Sequence, residues 1–190
     1  MQIWILTFNR PVVLNRLIER LGKQGARVNI LSNHPDLRFS PESSKYVDEY
    51  IINTLNSEES NSWCARSWNT IFMKAFAKTD ELICLQDDTN VSDLFYPWIH
   101  EEKSKYDFIW GPAGDQFFYL KKDIFKNVGW WDERYIGCYC GDADWMKRVY
   151  STNNKDRLSI VDTHDWGFTH NDCGVRYHID TRHFSKTADP

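Results

Sequence analysis

The sequence lacks any apolar run approaching the ~18 residues that a membrane-crossing helix needs, so nothing in it is expected to span a bilayer. Its opening, Met-Gln-Ile-Trp-Ile-Leu-Thr-Phe, has no basic start, no long apolar core and no small-residue cleavage site. No secretory leader is therefore expected, and the chain reads as cytoplasmic (in the host cytoplasm, if it is viral). It also lacks a charge excess. The 23 Lys+Arg against 27 Asp+Glu leave a formal charge of −4, which argues against nucleic acid as a partner without excluding it. Cysteine is sparse and irregular: Cys64, Cys84, Cys138, Cys140 and Cys173 form no disulfide framework and suit a reducing compartment. Cys138-Tyr-Cys140 is one residue too tight for a Cys-x-x-Cys zinc half-site, and no second half-site follows. Repeats, low-complexity tracts and linkers are missing too, which predicts a single domain over residues 1–190.

What the chain has is an aromatic excess: 9 Trp, 9 Tyr and 11 Phe in 190 residues. Most tryptophans belong in a core, but such an excess also suits flat stacking surfaces for sugar rings. The apolar run Gln2–Phe8 reads as a buried strand stopped at Asn9-Arg10-Pro11. Leu14, Leu17, Ile18 and Leu21 then mark an amphipathic helix ended by Gly22 and Gly25, and Arg27–Leu31 a second strand. That β-α-β order predicts parallel strands with a right-handed crossover. Pro35–Ser44 reads as loop and Tyr46–Asn53 as a third strand. Trp68, Ile71, Phe72, Ala75 and Phe76 stripe a helix that Asn61 or Ser62 can cap, and Glu81–Leu85 follows as a short buried strand. Strands over Asp107–Trp110 and Gln116–Leu120, helices over Lys121–Val128 and Asp142–Tyr150, and Leu158–Val161 complete an α/β pattern with a mostly parallel sheet.

In such a sheet ligands gather beyond the carboxyl ends of the strands. Thr7-Phe8-Asn9-Arg10, Asn33-His34 and Gln86-Asp87-Asp88 all fall there. Two adjacent strand-end carboxylates repel each other unless they are exposed, capped or bound to a cation. A hard divalent ion takes one or two such carboxylates and completes its shell with phosphate and water. A plain turn, with Asp87 capping and Asp88 solvated, is the other reading. Further on, Gly129-Trp-Trp-Asp-Glu133 precedes Gly141-Asp-Ala-Asp-Trp145, where Asp142 and Asp144 open a helix; both helix capping and a functional carboxylate account for Asp142.

Taken in order, these pieces resemble a small GT-A glycosyltransferase. Ile5-Leu-Thr-Phe-Asn-Arg-Pro11 is similar to that family's first strand and nucleotide-contacting turn, and Asn61-Ser-Trp-Cys-Ala-Arg-Ser-Trp-Asn69 to the helix before its metal strand. Leu82-Ile-Cys-Leu-Gln-Asp-Asp88 stands where the family carries its Asp-x-Asp motif, with Gln86 in place of the first acid. Gly114 to Glu133 resembles the acceptor-side block, and Gly141-Asp142 the Glu-Asp pair that opens the catalytic helix, with Gly141 replacing the glutamate.

The resemblance implies a Rossmann-like, three-layer α/β/α GT-A fold, with residues 1–90 as the nucleotide-binding half and 91–190 as the acceptor-binding half. It implies transfer of a sugar from a nucleoside-diphosphate sugar, a UDP-sugar, to a hydroxyl of a glycan or other acceptor, with inversion at the anomeric carbon. Donor contacts would fall to Thr7, Phe8, Asn9, Arg10, Asn33, Arg66, Asn69, Gln86 and Asp87. Simple surface charge also accounts for Arg10 and Arg66, and a turn before Pro35 for Asn33. Mn2+ or Mg2+ would be held by Asp88, by Asp87 in an alternative register, and by one of the late histidines His164, His170, His178 and His183, of which His183 is favoured for its neighbour Arg182; a structural or solvated role also accounts for each. Asp142, with Asp144 in reserve, would be the base. Trp130, Trp131, Asp132 and Glu133 would form the acceptor wall, one tryptophan being core. Two other readings stand beside this one: a non-catalytic carbohydrate-binding module on the same scaffold, and a nucleotidyltransferase. The latter usually needs a Gly-rich basic loop after its first strand, whereas the first glycines here are Gly22 and Gly25.

Overall fold

Alternation along the central strands sets the architecture. The computed structural model describes residues 1–53, 64–111, 116–134, 138–160 and 184–186. In strand β1 (Gln2–Thr7), Trp4 and Leu6 enter one buried cluster while Ile3 and Ile5 enter another. Strand β4 (Glu81–Gln86) repeats the division with Leu82 and Cys84 against Ile83 and Leu85. Successive strand side chains point to opposite faces, so strands apolar at every position need cover on both sides.

Helices supply that cover. On one face lie α1 (Pro11–Lys23), through Leu14, Leu17, Ile18 and Leu21, and α4 (Phe95–Glu102), through Phe95 and Ile99. On the other lie α3 (Cys64–Phe76), α5 (Lys122–Val128) and α6 (Cys138–Thr152). The result is the expected three-layer α/β/α arrangement. Trp4, Trp68, Trp110, Trp131 and Trp145 are all buried, which accounts for most of the tryptophan excess as core.

With β2 (Val28–Ser32), β3 (Val47–Ile52), β6 (Phe108–Trp110), β7 (Phe117–Lys121) and β8 (Leu158–Ile160), the sheet has seven strands in the order β3-β2-β1-β4-β7-β6-β8. Strands β1 to β4 run parallel to one another, whereas β7 runs antiparallel to both β4 and β6. A separate ribbon pairs β5 (Thr89–Val91) antiparallel with β9 (Phe184–Lys186).

Four local expectations change. Helix α1 runs through Gly22 and ends at Lys23; the backbone turns at Gly25, whose φ of 84° suits glycine. Inside the helix, position 22 is kept free of a side chain by the Tyr46 ring that lies over it: a Cβ there would stand 2.3 Å from the ring. The Pro35–Ser44 stretch, read as loop, contains the helical turn α2 (Pro41–Ser44), where Ser40 Oγ accepts from the Ser43 N–H and Pro41 occupies the first turn. Helix α4 was not expected at all. Helix α6 starts at Cys138, so Asp142 is its fifth residue rather than its opening cap. The caps assigned to Asn61 or Ser62 lie outside the described residues.

Candidate functional site

The parallel ladder brings the strand ends level. Asn33 N–H donates to the Thr7 carbonyl (2.8 Å), Asp87 N–H to the Leu6 carbonyl (3.0 Å) and Asn53 N–H to the Ser32 carbonyl (2.8 Å). Thr7, Asn33, Asn53 and Asp87 therefore share one edge, beyond the carboxyl ends of β1 to β4.

Their side chains are linked. Thr7 Oγ1 donates to Asp87 Oδ2 at 2.6 Å, and Arg10 Nη1 donates to Asp88 Oδ2 at 3.1 Å. Asp87 and Asp88 are only 6% and 7% exposed, which removes the solvated-turn reading for Asp88. Burial pushes the Asp87 carboxyl up from its ordinary value, and the neighbouring Asp88 charge adds to the rise; the Thr7 hydroxyl and Arg10 oppose it. Buried Asn33 accepts from Ser67 Oγ (2.9 Å) and Asn53 Nδ2 (3.3 Å) through its side-chain oxygen. Asn9 is exposed and Gln86 half-buried at the same edge, and Phe8 meets His34 edge to face with ring centroids 5.4 Å apart.

Next to this edge opens a cleft of about 1010 Å³, reached through Asn53 and walled by α3, the Trp130–Arg134 turn and α6. Asn69 fixes the turn. Its Nδ2 donates to the Trp131 carbonyl (3.0 Å) and to Glu133 Oε1 (2.9 Å), while Trp131 N–H donates to its Oδ1 (2.9 Å). The two tryptophans divide as expected. Trp131 is 3% exposed and stacks on Trp145, whereas Trp130 is 50% exposed and rests edge-on against Phe125. Three ion pairs line the walls: Arg66–Glu133 (3.5 Å), Arg134–Asp132 (2.6 Å) and Arg148–Asp144 (2.9 Å). Hydrogen bonds from Arg134 hold the Asp132 carboxyl well down, at about 2.

Of the two candidate bases, Asp144 lines the cleft and Asp142 is not among the described residues lining it. Asp142 Oδ1 instead accepts from the N–H of the adjacent Ala143 at 2.8 Å. His183 lies outside the described residues. Strand β9, which follows it, pairs Lys186 with Thr89, so the backbone of the late segment runs beside the acid pair. Sequence reasoning missed Asn53, Arg134 and Arg148. Only Arg148 had a local signal, its i,i+4 spacing from Asp144 on a helix.

Among the described residues no group of three His, Cys, Asp or Glu side chains converges to hold a metal ion. Asp87 and Asp88 nevertheless suit a hard divalent cation. They are adjacent, buried, oxygen-only donors of one charge, and such an ion completes its shell from phosphate oxygens and water. No helix among the described residues is long and apolar enough to cross a membrane.

The fold is that of the GT-A glycosyltransferases. No family model matches the sequence, and no curated protein matches it significantly. Solved structures do match: S. aureus TarS superposes with a TM-score of 0.64 at 11% identity over 99% of this chain and 37% of that one. The glucosyl-3-phosphoglycerate synthase of Mycobacterium tuberculosis, solved with Mn2+, UDP-glucose and phosphoglyceric acid, gives 0.60 at 8% identity over 100% of this chain and 73% of that one. A Bacillus anthracis protein assigned as a glucose-1-phosphate thymidylyltransferase without that activity being established, in complex with a sucrose, gives 0.53 at 9% identity over 86% of this chain and 87% of that one. The chain thus spans 37% of full TarS, and 58% of the TarS 1–349 structure.

Proposed function

We propose that the chain is a glycosyltransferase that moves a sugar from a nucleoside-diphosphate sugar, a UDP-sugar, to a hydroxyl acceptor. One observation carries the reading: the buried Asp87–Asp88 pair is tied to Thr7 and Arg10 at the strand-end edge, and Asn53, at the same edge, also lines an open cleft. A structure of the same fold solved with UDP-glucose and Mn2+ supports it.

In this reading the strand-end edge takes the donor, with Arg10 placed for the diphosphate. Asp88, with Asp87, would hold Mn2+ or Mg2+, which when bound would neutralise charge developing on the leaving diphosphate. The cleft takes the acceptor. Of the two acids on α6, Asp144 faces that cleft, so it is assigned to accept the acceptor hydroxyl's proton, with Arg148 fixing its orientation. Proton removal on the face opposite the leaving group gives inversion. Asn69, expected as a donor ligand, is assigned to hold the acceptor wall, since its amide is committed to Trp131 and Glu133.

A nucleotidyltransferase is the second reading, favoured by the similarity to the thymidylyltransferase structure. The link between β1 and α1 is only Phe8-Asn9-Arg10, with no glycine to cradle a triphosphate, and that disfavours it. The test is donor turnover. With Mn2+, a panel of nucleotide-sugars should show slow release of nucleoside diphosphate, and Asp144→Asn should lower it by about tenfold to a thousandfold. Release of pyrophosphate from sugar phosphate and nucleoside triphosphate, with no such turnover, would favour the nucleotidyltransferase.

A further inference from the structure

We propose that the ligand of the cleft is an uncharged glycan, one of whose sugar rings stacks on Trp130. The acceptor role of this glycan rests on the transferase reading; its binding does not.

The cleft lining is balanced in charge. The described charged side chains lining the cleft are three arginines and three carboxylates, and each arginine stands against one carboxylate at 2.6 to 3.5 Å. An anionic ligand meets a lining with no net positive charge among its described residues, and each arginine that could attract it already stands beside a carboxylate that repels it. A cationic ligand meets the mirror-image cost. Sugar hydroxyls both donate and accept, so they can bridge guanidinium and carboxylate without displacing either.

Trp130 is half-exposed in the cleft wall, and its edge contact with Phe125, 4.8 Å between centroids, holds the indole in place. Asn69 holds the next residue by its backbone N–H and C=O, so the wall is ordered before any ligand arrives. A rigid aromatic surface beside fixed polar groups suits the two sides of a pyranose, one apolar and one hydroxylated. At about 1010 Å³ the cleft sits at the upper end of the ~300–1,000 Å³ range of small-molecule sites, room for a disaccharide or longer.

The test needs no nucleotide. The full chain is titrated with lactose, cellobiose and N,N′-diacetylchitobiose, and at matched ionic strength with glucose 6-phosphate and glucuronate. Binding is followed by saturation-transfer NMR. The account expects saturable binding of at least one neutral disaccharide, weakened about tenfold or more by Trp130→Ala and retained by Trp130→Phe, with the anionic sugars about tenfold weaker. Because Trp130 is half-exposed, its variants should keep the wild-type melting temperature, and that is measured alongside. Anionic sugars binding as tightly as neutral ones, neutral binding that Trp130→Ala leaves unchanged, or no neutral binding up to about 100 mM would each overturn the proposal. A parallel titration with UDP-sugar separates the two readings: glycan binding without nucleotide binding removes the transferase and keeps this inference, and nucleotide binding without glycan binding does the reverse.

Discussion

Asn69 and Trp131, 62 positions apart, are joined by two hydrogen bonds, the amide of one accepting from the N–H and donating to the C=O of the other. A side-chain amide here does what a neighbouring strand would do, satisfying both backbone groups of a buried residue. Together with the bond to Glu133, it ties the Trp-Trp-Asp-Glu turn to helix α3.

Removing that amide should therefore have two effects. Asn69→Ala leaves a buried N–H and a buried C=O unpaired and should cost about 2–4 kcal/mol, read from urea unfolding. It should also loosen Trp130, seen as faster acrylamide quenching of its fluorescence in a background where the assignment is made with Trp130→Phe. Unchanged stability would mean that water replaces the amide and that the clamp carries no load.

The Asp87 carboxyl supplies a pH prediction. Its proton affinity is raised in the folded chain, chiefly by burial and then by Asp88, so in the pH window between the ordinary and the raised value the native state holds a proton that the unfolded chain releases. Stability from this group is full below the ordinary carboxylate value of ~4 and is lost as pH rises through the raised value. Asp87→Asn, which keeps an oxygen for the Thr7 hydroxyl, should match wild type in acid. At neutral pH, without divalent ions, it should melt higher by ~2–4 °C. A variant less stable than wild type at every pH would contradict the assignment.

Much of the fold was legible because its signals are local. The Leu14-Leu17-Ile18-Leu21 stripe and the Trp68-Ile71-Phe72-Ala75-Phe76 stripe each announce a helix by spacing alone, and the strands announce themselves as short apolar runs. Helix α4 was not legible, since Pro97 and exposed Leu94 interrupt its pattern and only Phe95 and Ile99 are buried. Ser40-Pro41 did carry a start signal for α2, but four residues make too short a stripe to register. For the site, the sequence placed Thr7, Asn33 and Asp87 at strand ends, where they stand. It could not say that Asn69 bonds to Trp131 and Glu133, or that Asn53 belongs both to the strand-end edge and to the cleft. Both depend on contacts between distant segments. Asp142 was misplaced for a different reason: a carboxylate near a helix start reads as its cap, yet α6 begins four residues earlier.

Thermal shift tests most directly whether the strand-end acids form a metal-assisted nucleotide site. Wild type, Asp88→Ala and Asp88→Asn are melted with UDP and other nucleoside diphosphates, with and without Mn2+. A ligand at ~100 times its dissociation constant adds about 2.7 kcal/mol, a clear rise in melting temperature. The account predicts that one nucleoside diphosphate stabilises wild type only with the metal, and that both variants lose the effect while remaining folded. Stabilisation by no nucleotide, or the same metal-dependent stabilisation in the Asp88 variants, would contradict it.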